Sequence, residues 1–192
     1  LSQTDLKYVI GYSSVSHMGI VGLGLSTMTI DGINGAVFQM FAHGIMTALF
    51  FSSVGYIYDR THTKAIAELG GLSRIMPRAA SFFILAALTG IGVPCLASFW
   101  GEVVVFISCV QVYPMAGALA IGALAVGALF MLRVVQKTCY GPPVEKFSHL
   151  NDVSTRMAIP RVILASVIVL FGLFPGLLFD MIDTATRTFL AG

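Results

Sequence analysis

Glu102, His17 and His43 stand deep inside apolar stretches of this 192-residue chain. A carboxylate and two imidazoles are the residue types that move protons. The carboxyl group binds or releases a proton according to what approaches it, and an imidazole accepts at one ring nitrogen while donating from the other. In an apolar span each such group carries an insertion penalty of about 3 kcal/mol, so each needs a reason to be there. Polar neighbours repeat at helical spacing. Gln39, His43 and Thr47 form an i, i+4, i+8 stripe, Ser13 pairs with His17, and Ser98 pairs with Glu102, while Tyr12 and Ser16 form an adjacent stripe. Residues so spaced share one helix face and can hold the waters of a proton relay. They can equally hydrogen-bond between helices, at roughly 0.6–2 kcal/mol each, and histidines with fixed partners can be purely structural.

The elements that must position these groups follow from composition. The chain is 57% hydrophobic and 10% charged, against about 25% charged in an ordinary soluble domain. The charges cluster between apolar runs of about twenty residues or more, the pattern of an all-α polytopic membrane bundle. A secreted disulfide scaffold and a disordered chain are excluded, and a net charge of +2 leaves no basic footprint for nucleic acid. Cys95, Cys109 and Cys139 are far apart, without CxxC spacing or histidine companions, so they encode no metal site or cluster and read as small packing residues. Five runs stand out, at 8–28, 33–57, 79–113, 115–140 and 159–178, and no soluble linker divides residues 1–192. The chain opens on Leu1 without a signal peptide and reads as part of a longer protein.

The run at 79–113 would extend roughly 50 Å as one helix, against a hydrocarbon core of roughly 30 Å. It contains Gly90, Gly92 and Pro94. Either two short helices form a hairpin, or one crossing is broken near Pro94. The basic residues arbitrate, because short cytoplasmic loops collect them. With a single crossing, Lys7, Arg60, Lys64, Arg74, Arg78, Arg133, Lys137, Lys146, Arg156 and Arg161 fall on one side and only Arg187 on the other. With two crossings the asymmetry collapses. The single, broken crossing is therefore expected, with the basic side cytoplasmic. Such breaks mark ion and substrate sites in transporters, although a plain proline kink is the simpler alternative. On this topology His17, His43 and Glu102 all lie roughly 14–17 Å from a membrane boundary, three helices contributing one depth. Lys7 and Arg161 sit at span ends and can snorkel, as can Lys137 and Arg133, the latter within reach of a buried carboxylate.

The runs Gln3-Thr4-Asp5-Leu6-Lys7 and Tyr12-Ser13-Ser14-Val15-Ser16-His17-Met18-Gly19 resemble the antiporter-like membrane subunits of respiratory complex I. So do Gln39-Met40-Phe41-Ala42-His43-Gly44, Arg60-Thr61-His62-Thr63 leading to Gly70-Gly71-Leu72, and Gly92-Val93-Pro94 through Phe99-Trp100-Gly101-Glu102. The glutamate after the break resembles the M-type branch, since L-type and N-type chains carry lysine there. The resemblance covers nearly all of the chain and weakens after Gly141. It implies that Glu102 is the proton-binding group of the broken helix, that His17 and His43 lie on a central polar axis, and that Lys7 is a motif lysine of the relay. It implies a larger inverted-repeat fold of about fourteen helices, of which residues 1–192 would be the C-terminal portion.

The function it implies is proton translocation by a non-redox subunit of NADH–quinone oxidoreductase, with NADH, FMN, iron–sulfur clusters and quinone bound by other subunits and no cofactor in this chain. The implied partners are neighbouring antiporter-like and other complex I membrane subunits, the lipid bilayer, protons and internal water, in a bacterial inner membrane. A multisubunit cation/proton antiporter and a membrane-bound hydrogenase or formate–hydrogen lyase complex use related chains and remain alternatives.

Overall fold

The structure is a computed structural model that describes residues 3–191. Its helices in chain order are α1 (Leu6–Ser26), α2 (Ile30–Thr61), α3 (Leu72–Ile75), α4 (Pro77–Ile91), α5 (Ala97–Val112), α6 (Pro114–Cys139), α7 (Thr155–Leu173) and α8 (Gly176–Ala191). Local chemistry sets the boundaries. The Asp5 carboxylate accepts from the Lys7 amide to start α1, and Thr29 Oγ1 accepts from the Gly32 amide to start α2. Pro77 and Pro114 open α4 and α6, where the missing N–H removes no helical bond.

α2 is the axis of the bundle, packed by α1, α4, α5, α7 and α8. Partners along it fix the topology. Phe50 meets Phe83, Met46 lies against Gly90, Gln39 against Gly101, Gly35 against Val105, and Thr29 bonds Ser108. As α2 numbers fall, those of α4 and then α5 rise without reversal. Residues 79–113 therefore run once past α2, as the charge distribution predicts. At roughly 22 Å and 24 Å, neither α4 nor α5 could cross a core of roughly 30 Å alone.

The break between them is stitched by turns. Gly92, at φ +77°, closes α4 with its amide on the Thr89 carbonyl, and the Val93 amide bonds the Leu88 carbonyl. Cys95 is also left-handed, at φ +72°, and it is exposed. Its expected packing role therefore belongs to buried Cys109 and Cys139 alone, because the break turns Cys95 outward.

The N-termini of α1, α4 and α7 share one end with the C-termini of α2 and α6. There the Leu6 amide bonds the Lys64 carbonyl, the Gly71 amide bonds the Tyr140 carbonyl, and Arg78 donates to the Val153 carbonyl. Arg133 is exposed on α6 and reaches no carboxylate among the described residues. It lies on the outer face of its helix, whereas Glu102 faces inward.

The last apolar run departs from expectation. Instead of one helix over 159–178, α7 stops at Leu173 and α8 begins at Gly176, because Pro175 has no amide to continue the ladder. α7 follows α2 from Ser52, bonded by Arg161, to Phe41, which meets Phe171 edge-on. α8 continues past it, stacking Phe179 on Phe38 and bonding Asp183 to Asn34. Its Asp180, Asp183 and Arg187 make it amphipathic, so it follows the apolar spans without being one.

Large apolar side chains remain exposed on α6 and α7, among them Leu119, Leu129 and Ile163. Such faces suit lipid or further helices rather than water.

Candidate functional site

The site lies where α1, α2 and α5 meet beside the break. Glu102, on the second turn of α5, is 2% exposed, and Gln39 of α2 is completely buried. Oε1 of Glu102 lies 3.1 Å from Nδ1 of His17, on α1. Gln39 Nε2 donates to the same Oε1 at 3.2 Å and lies 3.4 Å from His17 Nδ1. The His43 ring is tilted against that of His17, with centroids 5.2 Å apart.

Two glycines make this close approach possible. A Cβ on Gly92 would stand 2.3 Å from Glu102 Oε2, and one on Gly101 would stand 2.7 Å from Gln39 Oε1. The break thus shapes the pocket as well as interrupting the helix. A third close contact lies behind it. Gly172 of α7 packs directly on the Cys95 carbonyl, and the Trp100 indole donates to the Gly172 carbonyl at 2.8 Å. The end of α7 is thereby fastened to the α4–α5 break.

The chemistry available is proton exchange. Nδ1 of His17 and Oε1 of Glu102 are within sharing distance of one proton, and charge-assisted bonds of this kind are the strong ones. Nδ1 of His43, Oγ of Ser98 and Oε1 of Gln39 are buried without a protein partner. Each would cost about 1–3 kcal/mol if left unpaired, which makes them anchors for internal water. A cleft of about 470 Å³ between α1, α4 and α6 reaches His17 and is lined by Gln3, Tyr12, Ser13, Ser16 and Gly90, among others.

Three of the four sequence-selected residues, Glu102, His17 and His43, are brought together. Lys7 is not. It is exposed in the first turn of α1, roughly 15 Å along the helix from His17. Thr47 also stays out of the cluster, because its hydroxyl bonds the His43 carbonyl of its own helix. Gln39 is the group that sequence reasoning undervalued. Its i, i+4 spacing to His43 was visible, but not its position between His17 and Glu102.

A membrane bundle in which a broken crossing holds a buried carboxylate against a histidine has the architecture of proton- and ion-handling membrane proteins. Comparison with known proteins narrows the class. The family described as NADH:quinone oxidoreductase/Mrp antiporter, TM, matches residues 1–127, and the chain belongs to that family.

The chain is 34% identical over 191 residues to NADH-quinone oxidoreductase subunit M of Rickettsia typhi, covering 99% of this chain and 39% of that protein. It therefore spans about two fifths of the length of the curated relatives it matches. Among solved structures, it superposes on a chain of respiratory complex I from Thermus thermophilus with a TM-score of 0.88 and 27% identity, covering all of this chain and 41% of that one. A chain of the Mrp complex from a Dietzia species shares the fold, with a TM-score of 0.85 and 20% identity over 96% of this chain and 43% of that one.

Proposed function

We propose that this chain is a proton-translocating portion of an M-type membrane subunit of NADH–quinone oxidoreductase, with Glu102 as its proton-binding group. The observation that carries this reading is the buried contact of Glu102 with His17 and Gln39 beside the helix break. A proton entering the cleft meets His17 on the side facing Gly90, and the opposite nitrogen of the same ring passes it to Glu102. His43 and Ser98 hold water on the flanks of that step. Lys7 would act at the mouth of α1 as part of the relay, outside the cluster itself.

In this reading the chain performs no redox step and binds no cofactor. NADH, flavin, iron–sulfur clusters and quinone belong to other subunits, and neighbouring antiporter-like chains in a bacterial inner membrane are its partners. The identity to subunit M relatives favours this parent over a cation/proton antiporter or a hydrogenase complex.

The test is Glu102→Gln in the full-length subunit within its assembled complex, reconstituted into vesicles. NADH-driven acidification should be lost while subunit levels stay normal. Undiminished acidification would overturn the assignment.

A further inference from the structure

His17 Nδ1, Glu102 Oε1 and Gln39 Nε2 form a nearly equilateral triangle with sides of 3.1, 3.2 and 3.4 Å. Two bare acceptors, the imidazole nitrogen and the carboxylate oxygen, would repel at the shortest of these distances. One proton must therefore lie on that edge, bonded to either atom. The two amide hydrogens of Gln39 diverge too widely to follow both remaining edges, so the amide donates to one acceptor at a time.

Taking Glu102 as the proton-binding group proposed above, we infer that Gln39 is a positioning residue that divides one proton between His17 and Glu102. When the proton is on His17 Nδ1, Gln39 donates to the carboxylate. When the N–H bond breaks and the O–H bond forms, the carboxyl donates to the single lone pair of Nδ1, and Gln39 keeps its hydrogen bond on Oε1, which is now a neutral and weaker acceptor. The imidazolium–carboxylate pair becomes a neutral pair, with no electron transferred and no other reactant. Gln39 thus stabilises the charged pair more than the neutral one, a difference that matters most where the dielectric is low. Gln39 takes no proton itself. It is fully buried, with its oxygen packed beside Gly101.

The titratable groups around it are His17 on α1, His43 on its own helix and Glu102 on α5. α4 contributes the glycine backbone at this level. α7 and α8 bring Phe171 and Phe179, and the acidic Asp183 of α8 is bonded to Asn34.

The experiment compares Gln39→Met, of similar length and apolar, with Gln39→Glu, which donates only while protonated. Both are made in the full-length subunit of the assembled complex, and proton flux into vesicles is measured against pH. Gln39→Met should lower flux roughly tenfold, the loss of one hydrogen bond to a charged group, and should move the pH optimum. Gln39→Glu should recover flux as pH falls. Wild-type flux and profile in Gln39→Met would overturn the inference. So would an equal loss at every pH in both variants, the signature of a packing role. If Gln39→Met fails to assemble, the Gln39→Glu profile decides alone. Glu102→Gln separates the two claims. Normal pumping there removes the proton-site reading itself, whereas loss there with an unaffected Gln39→Met removes only the role of Gln39.

Discussion

Gly92 and Glu102 touch across the break, so closely that a Cβ on the glycine would stand 2.3 Å from the carboxylate oxygen Oε2. The residue that ends α4 therefore also forms one wall of the Glu102 pocket. Gly92→Ala combines two penalties. A left-handed φ costs an L-residue about 1–2 kcal/mol, and the new methyl displaces the carboxylate from His17. The variant should melt at lower temperature in detergent and lose most of its proton flux. Normal flux in a destabilised protein would show that the glycine serves the turn alone.

His17 and His43 should not be equivalent. His17 contacts Glu102 directly, whereas the ring of His43 lies against that of His17. A positioned proton-transfer group contributes about 10²–10⁴-fold, and water entering the vacated space replaces part of that. His17→Ala should reduce vesicle acidification by roughly ten- to a hundredfold, and His43→Ala by clearly less. Equal losses would remove the ordering.

Asp152 caps α4 from a distant loop, accepting from the Arg78 amide at 2.7 Å and the Ala79 amide at 3.2 Å. The first half of the broken crossing is thus tied to the loop before α7. Asp152→Ala should cost about 1 kcal/mol, as for other lost caps, and should speed amide exchange at Arg78 and Ala79. Asp152→Asn, which keeps an acceptor, should be milder. Unchanged exchange in Asp152→Ala would show that the cap contributes nothing.

Asp183 joins α8 to α2. Hydrogen bonds from Arg187, and then from Asn34, hold its carboxyl below the usual carboxylate range. A depressed folded-state value stabilises the docked helix above the ordinary carboxylate pKa, and that stabilisation is lost as pH falls through the folded value. Amide exchange of α8 should accelerate in acid, relative to α2 in the same sample. Asp183→Asn should abolish this pH dependence, and an unaltered acid response in that variant would refute the link.

The membrane environment, the single broken crossing and the common depth of His17, His43 and Glu102 are legible in the residues alone. These follow from quantities that run along the chain: hydropathy, charge position and a fixed rise per residue. The residues alone leave open how each helix is rotated about its axis and which faces meet, because apolar faces in lipid are nearly interchangeable and packing alone chooses among them. Helix packing therefore sets Gln39 between His17 and Glu102 and leaves Lys7 outside the cluster. Packing also ends α7 against the α4–α5 break, where Gly172 admits the Cys95 carbonyl and Trp100 caps the freed carbonyl of Gly172. Depth was legible from counting residues, whereas contact depended on the close approach that Gly92, Gly101 and Gly172 allow.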